Sequence, residues 1–225
     1  MSVRNGRWTE MAPLQPDYPA LGLFGRAFLM GIGQWLVVPS PWTGTIWYRF
    51  LAERVALPNG RPLLFTGQAG DIWPVFVGAG LVGWLQQAPG FFHLHWAYGL
   101  SGLLLTWALS FLMCRWFTEH VTTDDGRVQL SFEGGMLAFI GWQALVLVSV
   151  ITIIGWAWVG KFMMRWMCRS VQGSLSFEFT GGGWGILWRS VAFVLVSMLI
   201  IPIPWAFSWL MNWFVSQISV APAAR

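Results

Sequence analysis

At 225 residues the chain has the length of one domain, but 56% hydrophobic and only 10% charged residues exclude an ordinary water-soluble globule. Thirteen Lys and Arg against nine acids give a formal charge of +4, too weak and scattered for a nucleic-acid footprint and suited to anionic lipid headgroups. Eighteen Trp point the same way, because an indole sits best with its ring in hydrocarbon and its N–H among headgroups.

Residues 1–20 are polar and proline-containing and read as an irregular N-terminal arm, without the small-residue cleavage pattern of a signal peptide. A single multi-pass membrane domain then spans 21–225. Its first apolar run, 21–38, is interrupted by Arg26 and Gln34 and ended by Pro39 and Pro41. The uninterrupted part, 27–38, reaches only about 18 Å, short of a hydrocarbon core of roughly 30 Å. Residues 42–56 restart as an amphipathic, interfacial helix. Asn59-Gly60 signals a β-hairpin whose return strand is 63–65. Asp71 reads as the cap of the next helix.

Residues 72–85 and 91–113 carry no Lys, Arg, Asp or Glu and are separated by Gln86, Gln87, Pro89 and Gly90, which predicts a helical hairpin crossing the membrane twice. A third uncharged run, 136–159, has Trp142, Trp156 and Trp158 around a β-branched centre and a break at Gly155. Residues 191–201 are apolar up to Pro202 and Pro204, and 205–220 resume with interfacial character.

A pattern recurs along this series: Arg beside an aromatic residue, a glycine-containing turn, then an apolar strand ending in F-x-G. It runs from Arg49 to Gly67, Arg115 to Gly134 and Arg165 to Gly181, and the tail restarts it with Trp205, Asn212 and Trp213. The repeats occupy about 39–70, 107–135 and 155–183, with a partial copy at 202–220. The expected fold is an all-α membrane protein of about five apolar helices, some broken or re-entrant, with three short interfacial β-hairpin repeats. Gly60, Gly126 and Gly173 mark the hairpin turns, and Gly67, Gly134 and Gly181 the closes. Arg49, Arg115 and Arg165, with Trp42, Trp158 and Trp205, are expected to be headgroup or hairpin anchors, each arginine stem lying in the boundary while its guanidinium reaches phosphate. The plainer alternative is three membrane-flanking arginines without a shared role.

The stretch SVQGSLSFEFTGG at 170–182, preceded by Trp158 and Arg165, resembles the repeated element of the YjgN-like bacterial inner-membrane proteins, a family defined as a domain of unknown function. Pro41-Trp42 and Pro204-Trp205 are similar to its Pro-Trp element, and Phe177, Phe179 and Gly181 to its F-x-F-x-G close. The likeness covers about two thirds of the chain, and departs at VVPSPW and TIIGWAW, where the family carries a Thr-Leu-Gly-Ile-Tyr run. It implies a multi-pass bacterial inner-membrane location and no defined activity.

Catalytic and cofactor chemistry have no motif to rest on. His93, His95 and His120 lack the matched positions of haem or metal ligands, and Cys114 and Cys168 form neither C-x-x-C nor a zinc set. Glu133 and Glu178 are expected to pair with hairpin arginines. The expectation is therefore a non-enzymatic scaffold or accessory subunit that contacts membrane lipids and a membrane-protein partner or a second copy, without cofactor, metal or nucleic acid. The alternative is a small transporter or channel for a lipid or apolar solute, since proline-broken helices in repeats are a transport device. Charge in the loops favours all three hairpins on the cytoplasmic face, which requires 136–159 to dip and return; its length favours a single crossing instead.

Overall fold

The computed structural model describes residues 11–87, 96–152 and 154–223. Helix predominates, at 63%, with small sheets between the helices. The elements are β1 (Ala12–Pro13), β2 (Gln15–Pro16), α1 (Ala20–Leu36), α2 (Ser40–Glu53), β3 (Val55–Ala56), β4 (Leu63–Phe65), α3 (Trp73–Gln87), α4 (Trp96–Glu119), β5 (Val121–Thr123) and β6 (Leu130–Phe132). They continue as α5 (Met136–Val150), α6 (Gly155–Ser170), β7 (Val171–Gly173), β8 (Leu175–Phe179), α7 (Gly183–Ser197), α8 (Ile203–Ser216) and β9 (Ile218–Pro222).

The helices form four antiparallel pairs, α1 with α2, α3 with α4, α5 with α6 and α7 with α8. The pairs close into a cycle, because α2 packs on α3, α4 on α5, α6 on α7 and α8 on α1. Eight described helices replace the expected five or so because the chain breaks at the tips near Val37, Ile151 and Ile200. At two tips the break is a γ-turn about a β-branched residue, Val37 at φ 65° and Ile200 at φ 61°, with Val38 N donating to Leu36 O at 2.7 Å and Ile201 N to Leu199 O at 2.6 Å. Prolines 39, 41, 202 and 204 follow and cannot continue the preceding helix. The tip of the α3–α4 pair, and with it the predicted break at Pro89 and Gly90, lies outside the described residues.

All strands gather at the other end of the helices. The expected hairpin turns form, with positive φ at Gly60 (81°), Gly126 (63°) and Gly173 (133°). The pairing, however, runs chiefly between successive repeats. Strand β4 pairs with β5, β6 with β7, and β8 with β9, while β3 touches its own return arm only through an Ala56–Pro62 bridge. Side-chain packing accounts for this. Strands β4, β6 and β8 each carry a phenylalanine that seats on an aromatic of the second helix of the next pair, which aligns the strand with the one leaving that helix.

The N-terminal arm also departs from its expected irregularity. Strand β2 pairs with β3 and β1 with β9, so residues 12–16 supply the return strand that the C-terminal copy lacks. Four repeats therefore close a ring, the fourth assembled from the two ends of the chain. The segment 136–159 is likewise resolved as a return, since α5 leaves β6 and α6 comes back to β7, hydrogen-bonded beside it. All the hairpin turns thus share one end of the molecule.

Candidate functional site

Fourfold repetition supplies a common frame. Val55, Val121, Val171 and Ile218 open the outgoing strands and face Pro16, Phe65, Phe132 and Phe179 across the ladders. One further bond recurs at every junction: Asp17 N to Arg54 O (2.8 Å), Thr66 N to His120 O (3.0 Å), Glu133 N to Ser170 O (2.8 Å) and Thr180 N to Gln217 O (2.9 Å). Repetition to this level defines the ring as one built object.

The closing glycines have a steric reason. A Cβ at Gly67 would stand 2.5 Å from the Phe65 ring, at Gly134 2.7 Å from that of Phe132, and at Gly181 2.5 Å from that of Phe179. Each phenylalanine folds over the glycine two residues on and meets an aromatic of the second helix of the next pair. Phe65 meets Trp116 at 5.0 Å, Phe132 meets Trp166 at 6.0 Å and Phe179 meets Phe214 at 5.4 Å between centroids. All three phenylalanines are buried, each stabilising the ring by about 2 kcal/mol or more from area alone.

Beneath the ring lies an apolar cavity of about 300 Å³ that draws on all four repeats. The first strand residues Val55, Val121, Val171 and Ile218 line it, as do Ala52, Thr118, Cys168 and Val215, the residues three positions earlier. Cys114, Met164 and Met211 lie deeper on the same helices. Its wall holds no carboxylate, amine or imidazole, and Met side chains there can adapt to an occupant's shape. No group of three His, Cys, Asp or Glu able to hold a metal occurs among the described residues.

The comparisons with known proteins are silent. No family model, curated protein or solved structure matches the chain. The site must be read from its own geometry.

Arg49, Arg115 and Arg165 stand six residues before their outgoing strands, the place Asn212 takes in the fourth repeat. Their contacts differ. Asn212 is bonded to both main-chain groups of Tyr18, at 3.0 and 3.2 Å, and Arg165 Nε donates to Phe179 O at 3.3 Å, so these two tie a helix to the closing strand of its own repeat. Arg115 pairs with Glu119 on the surface at 2.8 Å, and Arg49 makes no hydrogen bond or ion pair among the described residues. Trp42, Trp158 and Trp205 each stand thirteen residues before a strand, near the helix tips, and are at least a third exposed. On α2 and α6 the arginine and the tryptophan thus occupy opposite ends of the second helix of a pair.

Glu133 and Glu178 make no salt bridge among the described residues, against expectation. Asp125 takes that role, pairing with Arg61 of the first turn and Arg127 of its own. A hydrogen bond from the Thr123 hydroxyl, joined by the Arg127 amide and the Arg61 guanidinium, holds its carboxyl down at about 2. Asp71 does not cap α3; it accepts from Gln68 N at 2.7 Å and lies 3.7 Å from His120. Cys114 and Cys168 are free thiols. His93 and His95 lie outside the described residues.

Sequence reasoning passed over Arg26 and Arg189. Their signal is a shared offset, eight residues beyond Tyr18 and Gly181, the equivalent closing positions of two repeats. That offset becomes visible only once the N-terminal arm is recognised as the missing half of the fourth repeat.

One described helical stretch, Gly99–Glu119, is long and apolar enough to cross a membrane, with mean hydropathy 1.4. Helices α5 and α7 are apolar but have 15 residues each.

Proposed function

We propose that the chain is an integral, non-catalytic membrane protein, a scaffold or accessory subunit that inserts its helix pairs into the bilayer from one face and contacts lipid and a membrane partner. The chemistry of the tips carries this reading. Val38, Ile151 and Ile201 are 72%, 81% and 81% exposed, and such apolar surface is costly in water. A lipid environment also demands that no backbone donor be left open. At the tips prolines 39, 41, 202 and 204 have no N–H to satisfy, while γ-turns occupy those of Val38 and Ile201, and Ile154 N donates to Thr152 O at 2.6 Å.

Charge follows the same division. The runs 27–48, 72–114, 134–160 and 190–224 contain no Asp, Glu, Lys or Arg, and each corresponds to one helix pair. A 15-residue helix is about 22 Å long, so most pairs dip into the bilayer and return, while α4, about 36 Å long, reaches its far side. Membership of the YjgN-like proteins and a bacterial inner-membrane location belong to this reading, resting on the F-x-G closes and the Pro-Trp elements. Alkaline carbonate should leave the chain in the membrane fraction, and native nanodiscs should contain it with a fixed ratio of a second membrane protein or a second copy. Release by carbonate, or a solitary monodisperse chain in nanodiscs, contradicts the proposal.

The axial cavity favours a second reading, carriage of a lipid or apolar solute. A charge-free cavity wall suits an apolar occupant and gives an ion or proton no partner. Flux of a labelled lipid between liposomes, abolished by Ala52→Trp at the cavity wall, would support it; equal flux with and without the protein would remove it.

A further inference from the structure

Two arginines enter the apolar zone, and both do so in the same way. Arg26 and Arg189 are the seventh residues of α1 and α7. Arg26 donates through Nη1 to Gly22 O at 3.2 Å, and Arg189 through Nη1 to Gly185 O at 3.4 Å. Each guanidinium carbon also stands 4.2 Å from the centroid of an aromatic ring five residues before a strand, Phe50 for Arg26 and Trp213 for Arg189. Trp188 adds a further face to Arg189 at 4.6 Å. Two copies built alike from different residues of the sequence are a designed cradle rather than a chance stacking.

The cradle leaves each cation incompletely served. Among the described residues no carboxylate oxygen lies within 4.0 Å of either arginine. Of five donors, the described hydrogen bonds use one, and Arg189 Nε is buried without an acceptor. A carbonyl four residues back can be reached only if the side chain runs toward the start of its helix, which is the strand-ring end, so both guanidinium groups are drawn up from the apolar run toward the boundary. Exposed Trp184 and Trp188 flank Arg189 there. At that depth the anion a bilayer offers is a phosphate diester, whose oxygens match the planar fork of arginine.

We propose that Arg26 and Arg189 each hold the phosphate of a phospholipid, a site that rests on the membrane reading above. The aromatic ring fixes the guanidinium plane, the glycine carbonyl takes one donor, and the outer Nη donors face the lipid phosphate. The two sites place two annular lipids beside α1 and α7. Val75 and Trp142 stand at the same offset from Gly67 and Gly134, so the other two repeats offer no such site.

Native mass spectrometry of the full chain in a nonionic detergent, titrated with phosphatidylglycerol, tests this. Two lipids should be retained, with Arg26→Gln and Arg189→Gln each removing one through roughly tenfold weaker binding. Lysine at either position should bind at an intermediate level, keeping the charge but losing the fork. Diacylglycerol, with the same chains and no phosphate, should not be retained, a comparison that needs no variant. Excess inorganic phosphate should leave the lipid in place. The site is overturned if the double Gln chain retains both lipids, if diacylglycerol is held equally well, or if inorganic phosphate displaces the lipid. Reconstitution into phosphatidylcholine vesicles separates the two failures: a chain that does not co-migrate with vesicles refutes the membrane reading, whereas one that co-migrates but retains no phosphatidylglycerol refutes only the lipid site.

Discussion

The strand ring and the helix tips are built on opposite principles. At the ring, position is fixed by specific contacts, with phenylalanine over glycine, an aromatic beyond it and the same junction bond four times. At the tips the outermost residues, Val38, Ile151 and Ile201, are unpacked, and what is specified there is the removal of charge and of open backbone donors. The difference teaches that the ring is folded against itself while the outermost tip residues face a solvent, which under the proposed membrane reading is hydrocarbon. Substitutions at the two ends should therefore register in different measurements.

The largest effect belongs to the ring. Phe179 is fully buried between Gly181 and Phe214, so Phe179→Ala should cost about 3–5 kcal/mol of unfolding free energy in detergent. Ile201→Ala at a tip should cost almost nothing in the same assay, and a similar loss at both positions would erase the distinction.

A charge inverts the ranking. Ile201→Lys should leave detergent stability unchanged yet disfavour bilayer insertion by about 3 kcal/mol, read from the fraction integrated into vesicles. Intact integration would place that tip in water.

A smaller ring effect is expected at a turn. Gly173→Ala sets a Cβ 2.1 Å from the Gln129 carbonyl oxygen at φ 133°, for a loss of about 1–3 kcal/mol, whereas Gly182→Ala meets no atom within 4 Å and should be silent. Thermal melts of the two variants make the comparison directly.

The smallest effect is one of pH. Because Asp125 is held at about 2 in the fold, below an unfolded carboxyl, its contribution is complete above about pH 4 and fades as pH falls toward 2. Asp125→Asn should flatten that segment of the stability profile, slightly, since the group is exposed. An unchanged profile would remove Asp125 from the ring's electrostatics.

Much of the ring was legible in the sequence because its requirements are local. Gly60, Gly126 and Gly173 are demanded by positive φ, and Gly67, Gly134 and Gly181 by the phenylalanine two residues earlier. The partner of each strand was not legible. A three-residue strand such as β4 has no register signal of its own, and its choice of β5 over β3 is made by Phe65 meeting Trp116 fifty-one residues away. The fourth repeat was hidden for another reason: its halves lie at opposite ends of the chain, and Pro16 stands where the other repeats have phenylalanine. Arg26 and Arg189 went unread because the offset relating them is measured from that hidden repeat. The axial cavity was equally out of reach, since its lining shares a height in the bundle and no common residue type.

Sidedness of the turns is the most direct test of insertion from one face. With Cys114 and Cys168 replaced by Ser, single cysteines at Asn59, Asp124 and Gln172 would report the three hairpin turns in sealed vesicles of known orientation. An impermeant maleimide should label all three from the same side, and cysteines at the tip positions Val38, Ile151 and Ile201 from neither. Labelling of Gln172→Cys from the side opposite to Asn59→Cys would contradict the ring, because hydrogen-bonded strands cannot lie on two faces of a membrane.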